Sequence, residues 1–110
     1  MRICVSSTGK HLDVPVDERF GRCTRFLAVD TETMEFEVIE NDGPGLSSGA
    51  GVNAGQKVAA NKCDAVASGH FGPKATSTMS AAGIPGYVFG SGTVREAVEA
   101  FNAGRLEEGC

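Results

Sequence analysis

The stretch Ala67-Ser68-Gly69-His70-Phe71-Gly72-Pro73-Lys74-Ala75 constrains this chain more than any other. It reads as the end of a buried strand, a tight Gly-rich turn and a helix start. Asp64-Ala65-Val66-Ala67 supplies the strand, and Pro73 suits a first helical turn, where its missing N–H is no loss. The helix predicted over 73–82 is closed by Gly83 at a left-handed cap, with Ile84 as its hydrophobic follower. Gly86-Tyr87-Val88-Phe89 then reads as another strand. Strand–helix–strand units of this kind imply parallel pairing with right-handed crossovers. His70 sits in the turn where a ligand can be touched and a metal coordinated. Gly72 and Pro73 would equally serve as a plain cap, with His70 as a polar loop residue.

After Gly90-Ser91-Gly92, Thr93 and Glu96 form a capping box, and Val94, Ala97, Val98 and Phe101 follow a helical stripe that Gly104 ends. The first half is different. Arg2–Ser7 and Arg25–Asp30 read as strands around a long polar loop, residues 8–24, whose length, glycine and charge predict mobility when empty. Glu35–Glu40 alternates charged and apolar residues, a half-exposed strand. Its closeness to the second strand predicts an antiparallel hairpin. A small-residue helix over 51–62, with Val52, Gly55 and Ala59 on one face, follows a Gly/Ser/Pro loop.

The resulting order, β-β-β-α-β-α-β-α, predicts a five-stranded mixed sheet with helices on its faces. With the second strand antiparallel, the loops 8–24, 42–50, 69–73 and 90–93 gather at one rim, where open α/β sheets bind ligands. Ser6, Ser7, Lys10, His11, Arg19, Arg22 and Cys23 are expected there. So are the turns holding Gly49, Ala50 and Gly51, then Gly69, His70, Phe71 and Gly72, then Gly90, Ser91 and Gly92. Each turn precedes a helix, so three sets of backbone N–H groups are expected to point inward. Arg19, Arg22 and Arg25 cluster around Phe20-Gly21, and Lys10 and Lys74 add charge. This outlines an anion pocket, against the plainer reading of a solvated loop.

The chain has 110 residues and a formal net charge of −4. A length of this order is one domain able to bury a core. The charge gives no general attraction to nucleic acid. The opening residues do not read as a signal peptide, and no stretch reaches a membrane span, so a soluble cytoplasmic protein is expected. The cysteines are Cys4, Cys23, Cys63 and Cys110, with no C-x-x-C spacing. They are expected to be reduced thiols, with Cys4 and Cys63 as packing and Cys110 a disordered last residue. Cys23 lies beside Arg22 and Arg25, which would lower its pKa and make it the reactive thiol.

Several chemistries are set aside. There is no Walker phosphate loop, and Gly49-Ala50-Gly51-Val52-Asn53-Ala54-Gly55 is a weak dinucleotide match because no strand directly precedes it. Asp30 lies on the opposite rim, and no acidic cluster replaces it for nuclease chemistry. No Ser/His/Asp or Cys/His nucleophile set is visible. His11, His70 and Cys23 are too few to close a zinc site but enough to touch a preformed cluster carrying its own inorganic ligands.

The residues match a known family over nearly the whole chain. The matching segments are Arg2–Ser7, Val16-Asp17-Glu18-Arg19-Phe20-Gly21-Arg22-Cys23, Phe26–Thr33, Gly49-Ala50-Gly51, Ser68–Ala75, Ala82-Gly83-Ile84 and Gly92–Ala97. On these the chain resembles the dinitrogenase iron–molybdenum cofactor biosynthesis family, which includes nitrogenase cofactor carriers and the orange proteins of sulfate-reducing bacteria. The resemblance implies a ribonuclease-H-like three-layer α/β fold, strand order 3-2-1-4-5 with strand two antiparallel. It implies a single domain, 1–110, that binds a molybdenum-containing metal–sulfur cluster without catalysis. That cluster would be a molybdenum–copper sulfide held by non-covalent contacts, as in the orange-protein branch, or of the iron–molybdenum cofactor type. A protein acceptor or assembly partner is implied, and neither nucleic acid nor membrane.

A polyanionic thiometallate needs positive charge, N–H donors and an apolar wall. Arg19 and Arg22, the glycine turns with Ser91, and Phe20 and Phe71 are expected to supply these. His70, with Cys23 and His11, is expected to orient or ligate the metal. Many relatives carry a cysteine where this chain has Phe71, so thiolate ligation from that turn is excluded here. Other relatives lack the histidine. Two alternatives stay open: a metal-free phosphate- or nucleotide-binding regulatory module on the same rim, and a thiol-based partner-binding protein working through Cys23.

Overall fold

The computed structural model describes residues 1–109. Its strands are β1 (Arg2–Ser7), β2 (Arg25–Asp30), β3 (Phe36–Glu40), β4 (Ala65–Ser68), β5 (Gly86–Val88) and β6 (Glu107–Glu108). The helices are α1 (Ala50–Ala60), α2 (Pro73–Ala81) and α3 (Val94–Asn102), with one 3-10 turn at Gly43–Gly45. The sheet order is β3-β2-β1-β4-β5-β6, with β2 antiparallel to both neighbours and β1, β4 and β5 parallel. No described helix is long and apolar enough to cross a membrane.

Period-two alternation divides the core into two layers of side chains. Cys4, Phe26, Ala28 and Val66 face α1 and α2, where Ala54, Val58, Ala75 and Met79 meet them. Ile3, Val5, Leu27, Val29, Ala65 and Ala67 face the other way, against Val94, Ala97 and Val98 of α3. The architecture is therefore three-layered, and the expected strand order and antiparallel second strand hold.

Several expectations are corrected. The sheet has a sixth strand: after Gly104 the chain turns back, and Glu107–Glu108 pairs antiparallel with Tyr87 and Val88. Two exposed glutamates carry no apolar alternation, so no sequence pattern announces them. The buried face of α1 runs through Ala50, Ala54, Gly55 and Val58, with Gly55 against Thr78 as expected and Ala59 packed half-buried beside it, while Val52 is only half-buried. Cys4 and Cys63 are joined in a disulfide, with their Cα atoms 6.0 Å apart, rather than being reduced thiols. Pairing of Cys4 with Val66 on the adjacent strand brings the cysteines together across a sequence separation of 59. Cys110 lies outside the described residues.

Candidate functional site

The rim at the carboxyl ends of β1 and β4 is built around the loop of residues 8–24. That loop is laced down along its length rather than left free. Thr8 N–H donates to the Pro15 carbonyl at 3.2 Å, Asp17 N–H to Ser6 at 2.9 Å, Val16 N–H to Gly92 at 2.9 Å and Phe20 N–H to His70 at 3.3 Å. Ser6 and Ser7 are fully buried beneath it. Ser6 Oγ donates to the Asp17 carbonyl at 2.6 Å and lies 2.7 Å from Ser68 Oγ, while Ser7 Oγ donates to Gly9. These serines hold the loop and do not face a ligand.

Arg19 and His70 are brought together. Their backbones form a parallel bridge, and both residues are exposed. Asp17 Oδ1 accepts the Arg19 N–H at 2.9 Å and lies 3.5 Å from Nε, while the Arg19 side chain stays largely exposed. Gly69 packs against the Glu18 backbone and Gly90 against Gly69, so the loop of residues 8–24 and the turns at 69–72 and 90–92 close on one another.

The helix starts beside this pair decide what the rim offers. A methyl on Gly21 would lie 3.0 Å from Gly51 N, and one on Gly51 would lie 3.3 Å from Ala75 N, so the first turns of α1 and α2 touch. Their caps are Gly49 and Gly72, and neither provides a capping side chain. Gly49 is at φ 76°, a left-handed conformation that favours glycine, and open space lies where a Cβ would stand on Gly49 and on Gly72. The first intrahelical bonds are Asn53 N–H to Gly49 and Thr76 N–H to Gly72. Among the described residues the N–H groups before them, on Gly51 and Val52 of α1 and on Lys74 and Ala75 of α2, have no hydrogen-bonding partner, those of Gly51 and Ala75 lying against the backbones of Gly21 and Gly51.

α3 is the opposite case. Thr93 and Glu96 complete their capping box, and Val94 and Arg95 N–H groups donate to the carbonyls of Val14 and Leu12 at 3.0 and 2.7 Å. The expected three sets of inward donors are therefore two. Gly90, Ser91 and Gly92 serve the loop and α3, with the Gly92 carbonyl already accepting from Val16.

Other expected site residues are also moved. Phe20 and Phe71 are core, 1% and 9% exposed, with ring centroids 5.2 Å apart; they floor the rim from beneath instead of walling it. The hydrophobic effect outweighs proximity to the loop glycines here. Arg22 is engaged within the rim: Nη1 donates to the Gly43 carbonyl at 2.8 Å and also to the Leu46 carbonyl, both in the 42–50 connection. It thereby clamps the β3–α1 connection to the loop. Gly43 completes the clamp, since a Cβ there would collide with the Gly21 carbonyl oxygen.

Cys23 is fully buried, its Sγ donating to the Phe20 carbonyl at 3.3 Å. Burial pushes this thiol up to about 12, with the Asp17 carboxylate adding to the shift and the Asn41 amide only partly offsetting it. The adjacent arginines in sequence do not lower it, because strand geometry sends their side chains elsewhere: Arg25 Nε reaches Glu40 at 3.3 Å. His11 is exposed near Asp13 at the α3 side. No three His, Cys, Asp or Glu side chains converge among the described residues, so His11, His70 and Cys23 do not form a common ligand set. Lys10 and Lys74 are exposed.

Residues 1–104 match the dinitrogenase iron–molybdenum cofactor family. The chain belongs to that family. It is 40% identical to the orange protein from Desulfovibrio gigas, whose apo form superposes with a TM-score of 0.95 over 99% of this chain and 92% of that one. A NifB-like protein of Thermotoga is 37% identical, with a TM-score of 0.84 over 97% of this chain and 91% of that one. An uncharacterised Methanocaldococcus jannaschii protein is 30% identical over 103 residues, 86% of this chain and 87% of its own.

Sequence reasoning missed the Arg22–Gly43–Leu46 clamp and the role of Asn41, whose Nδ2 donates to the carbonyls of Gly21 and Cys23 at 3.1 and 2.8 Å. A glycine-rich connection facing an Arg-Phe-Gly-Arg loop was the available signal, but nothing local says which arginine turns inward.

Proposed function

We propose that this chain binds and carries a molybdenum-containing metal–sulfur cluster as cargo, without transforming it. The observation that carries the reading is the pair of touching, uncapped helix starts of α1 and α2 beside Arg19 and His70. Uncapped N–H groups and helix dipoles favour an anion. Gly49 and Gly72 leave space for a bulky one to approach the backbone. A thiometallate brings its own sulfide ligands, so it needs no closed set of protein donors. Family membership and the likeness to the orange protein support the same reading.

In this reading Arg19 neutralises charge, the N–H groups of α1 and α2 bond the sulfides, and the exposed His70 orients or ligates one metal. Arg22 holds the loop that carries Arg19 and contributes only through it. A molybdenum–copper sulfide and an iron–molybdenum cluster both fit this chemistry.

The test is titration with tetrathiomolybdate, with and without copper, followed by desalting, visible absorption and metal analysis. Retained colour at a fixed metal-to-protein ratio is expected, weakened at least ten-fold by Arg19→Ala with His70→Ala. Colour lost on desalting would refute the cargo. Retained colour indifferent to both substitutions would refute the site. Stabilisation by a nucleotide but not by thiomolybdate would move the rim to the phosphate-binding reading.

A further inference from the structure

β3 ends the sheet on the side away from β6, and no described strand pairs with its outer edge. Asp30 N–H donates to the Glu35 carbonyl and Asn41 N–H to the Thr24 carbonyl. The antiparallel alternation between these bonds turns the N–H and C=O groups of Phe36, Val38 and Glu40 outward. The side chains of Phe36 and Val38 lie opposite Val29 and Leu27 on the α3 face, yet remain 37% and 38% exposed.

The other face of the same strip holds a concavity of about 240 Å³ lined by Arg2, Ala28, Asp30, Glu35, Phe36 and Glu37. Ala28 is small, and Arg2 is held to one side by Glu37 at 3.1 Å and by the Asn61 carbonyl at 3.0 Å. Between Arg25 and Lys57 there is no lysine or arginine, but there are six acidic residues: Asp30, Glu32, Glu35, Glu37, Glu40 and Asp42. Arg2, Arg25 and Lys57 pair with Glu37, Glu40 and Asp42. Asp30, Glu32 and Glu35 make no ion pair among the described residues, and the N-terminal ammonium near Asp30 is one positive charge against these three, so the balance of charge at the Phe36 end of the strand is negative.

We propose that the outer edge of β3 accepts an extended segment of a partner protein as an added strand, one that alternates lysine or arginine with apolar residues. Main-chain bonds to Phe36, Val38 and Glu40 would hold it, and alternate side chains would choose it. Its apolar residues would lie along Phe36 and Val38. Its cations would enter the acidic concavity. A second copy of this chain is a poor occupant, because it would bring the same acids against these. The concavity lies on the rim opposite Arg19 and His70, so a bound partner would leave that rim open. Cargo chemistry plays no part in this surface.

The test is an amide NMR titration of the isotope-labelled protein with a capped peptide of alternating lysine and valine. Saturable shifts at residues 35–40, Arg2 and Asp30 are expected, and a glutamate-for-lysine peptide should give none. Val38→Pro removes an outward N–H while sparing the bonds to β2, as edge strands permit. It should weaken binding at least ten-fold, as should Glu35→Lys. If Val38→Pro does not fold, the surface pair Phe36→Ser and Glu35→Lys carries the same expectation. Shifts centred on the opposite rim, or none at millimolar peptide, would overturn the proposal. So would affinity indifferent to Val38→Pro, which would mean charge adhesion alone. A concentration-dependent dimer mapping to β3 without peptide would assign the edge to a second copy and overturn it as well.

Discussion

Cys23 offers the sharpest test of how this fold treats its chemistry. In a Cys110→Ser background it is the free thiol, because Cys4 and Cys63 are bonded to each other. Burial, with Asp17 adding to it, pushes its pKa up to about 12. At pH 8 a thiol pushed that high carries roughly 1000-fold less thiolate than an ordinary one. Reaction with a disulfide reagent should be slower, because the greater nucleophilicity of a high-pKa thiolate offsets only part of that factor, and slower again because Sγ is enclosed by Phe20, Asn41 and the core. The rate should climb with pH with no plateau near pH 9, and rise to that of a free thiol in denaturant.

The folded state holds the proton more tightly than the unfolded chain, so the contribution to stability is fully present below about pH 9. It is lost at roughly 1 kcal/mol for each pH unit as pH rises toward 12. Cys23→Ala should remove that slope. Stoichiometric labelling of the native protein within minutes, or a rate plateau below pH 9, would refute the burial argument. It would also restore the reading in which Cys23 captures a partner.

Three further outcomes are expected. Gly43→Ala should cost about 1–3 kcal/mol by overpacking against Gly21, read by calorimetry as a fall of about 4 °C per kcal/mol at this length. Thr93→Ala breaks the capping box of α3 and should cost about 1 kcal/mol in denaturant unfolding, leaving thiometallate binding unchanged because α3 presents no free donors. Reducing Cys4–Cys63, with a separation of 59 residues, should cost up to about 4 kcal/mol on chain-entropy grounds, measured by unfolding with and without reductant.

Much of the fold was legible because its signals are local. Pro73 at a helix start, Gly83 at φ 73° and the Thr93–Glu96 box each act within a few residues, and all stand in the structure as expected. Alternation in β1 and β2 likewise follows from which neighbours share a strand face. Arg19, His70 and the glycine turns were placed on one rim by topology alone, since parallel strands put their carboxyl ends together.

What only the tertiary structure decided depends on groups far apart in the chain. The first donors of α3 were taken up by the Leu12 and Val14 carbonyls reaching it from the loop. The Arg22 guanidinium was engaged by rim carbonyls 21 and 24 residues away. Cys23 was raised rather than lowered because burial outweighs charged neighbours in sequence whose side chains point elsewhere. Residue type and spacing determine which elements form. Burial and long-range hydrogen bonding determine which of their polar groups remain available, and that is where the function lies.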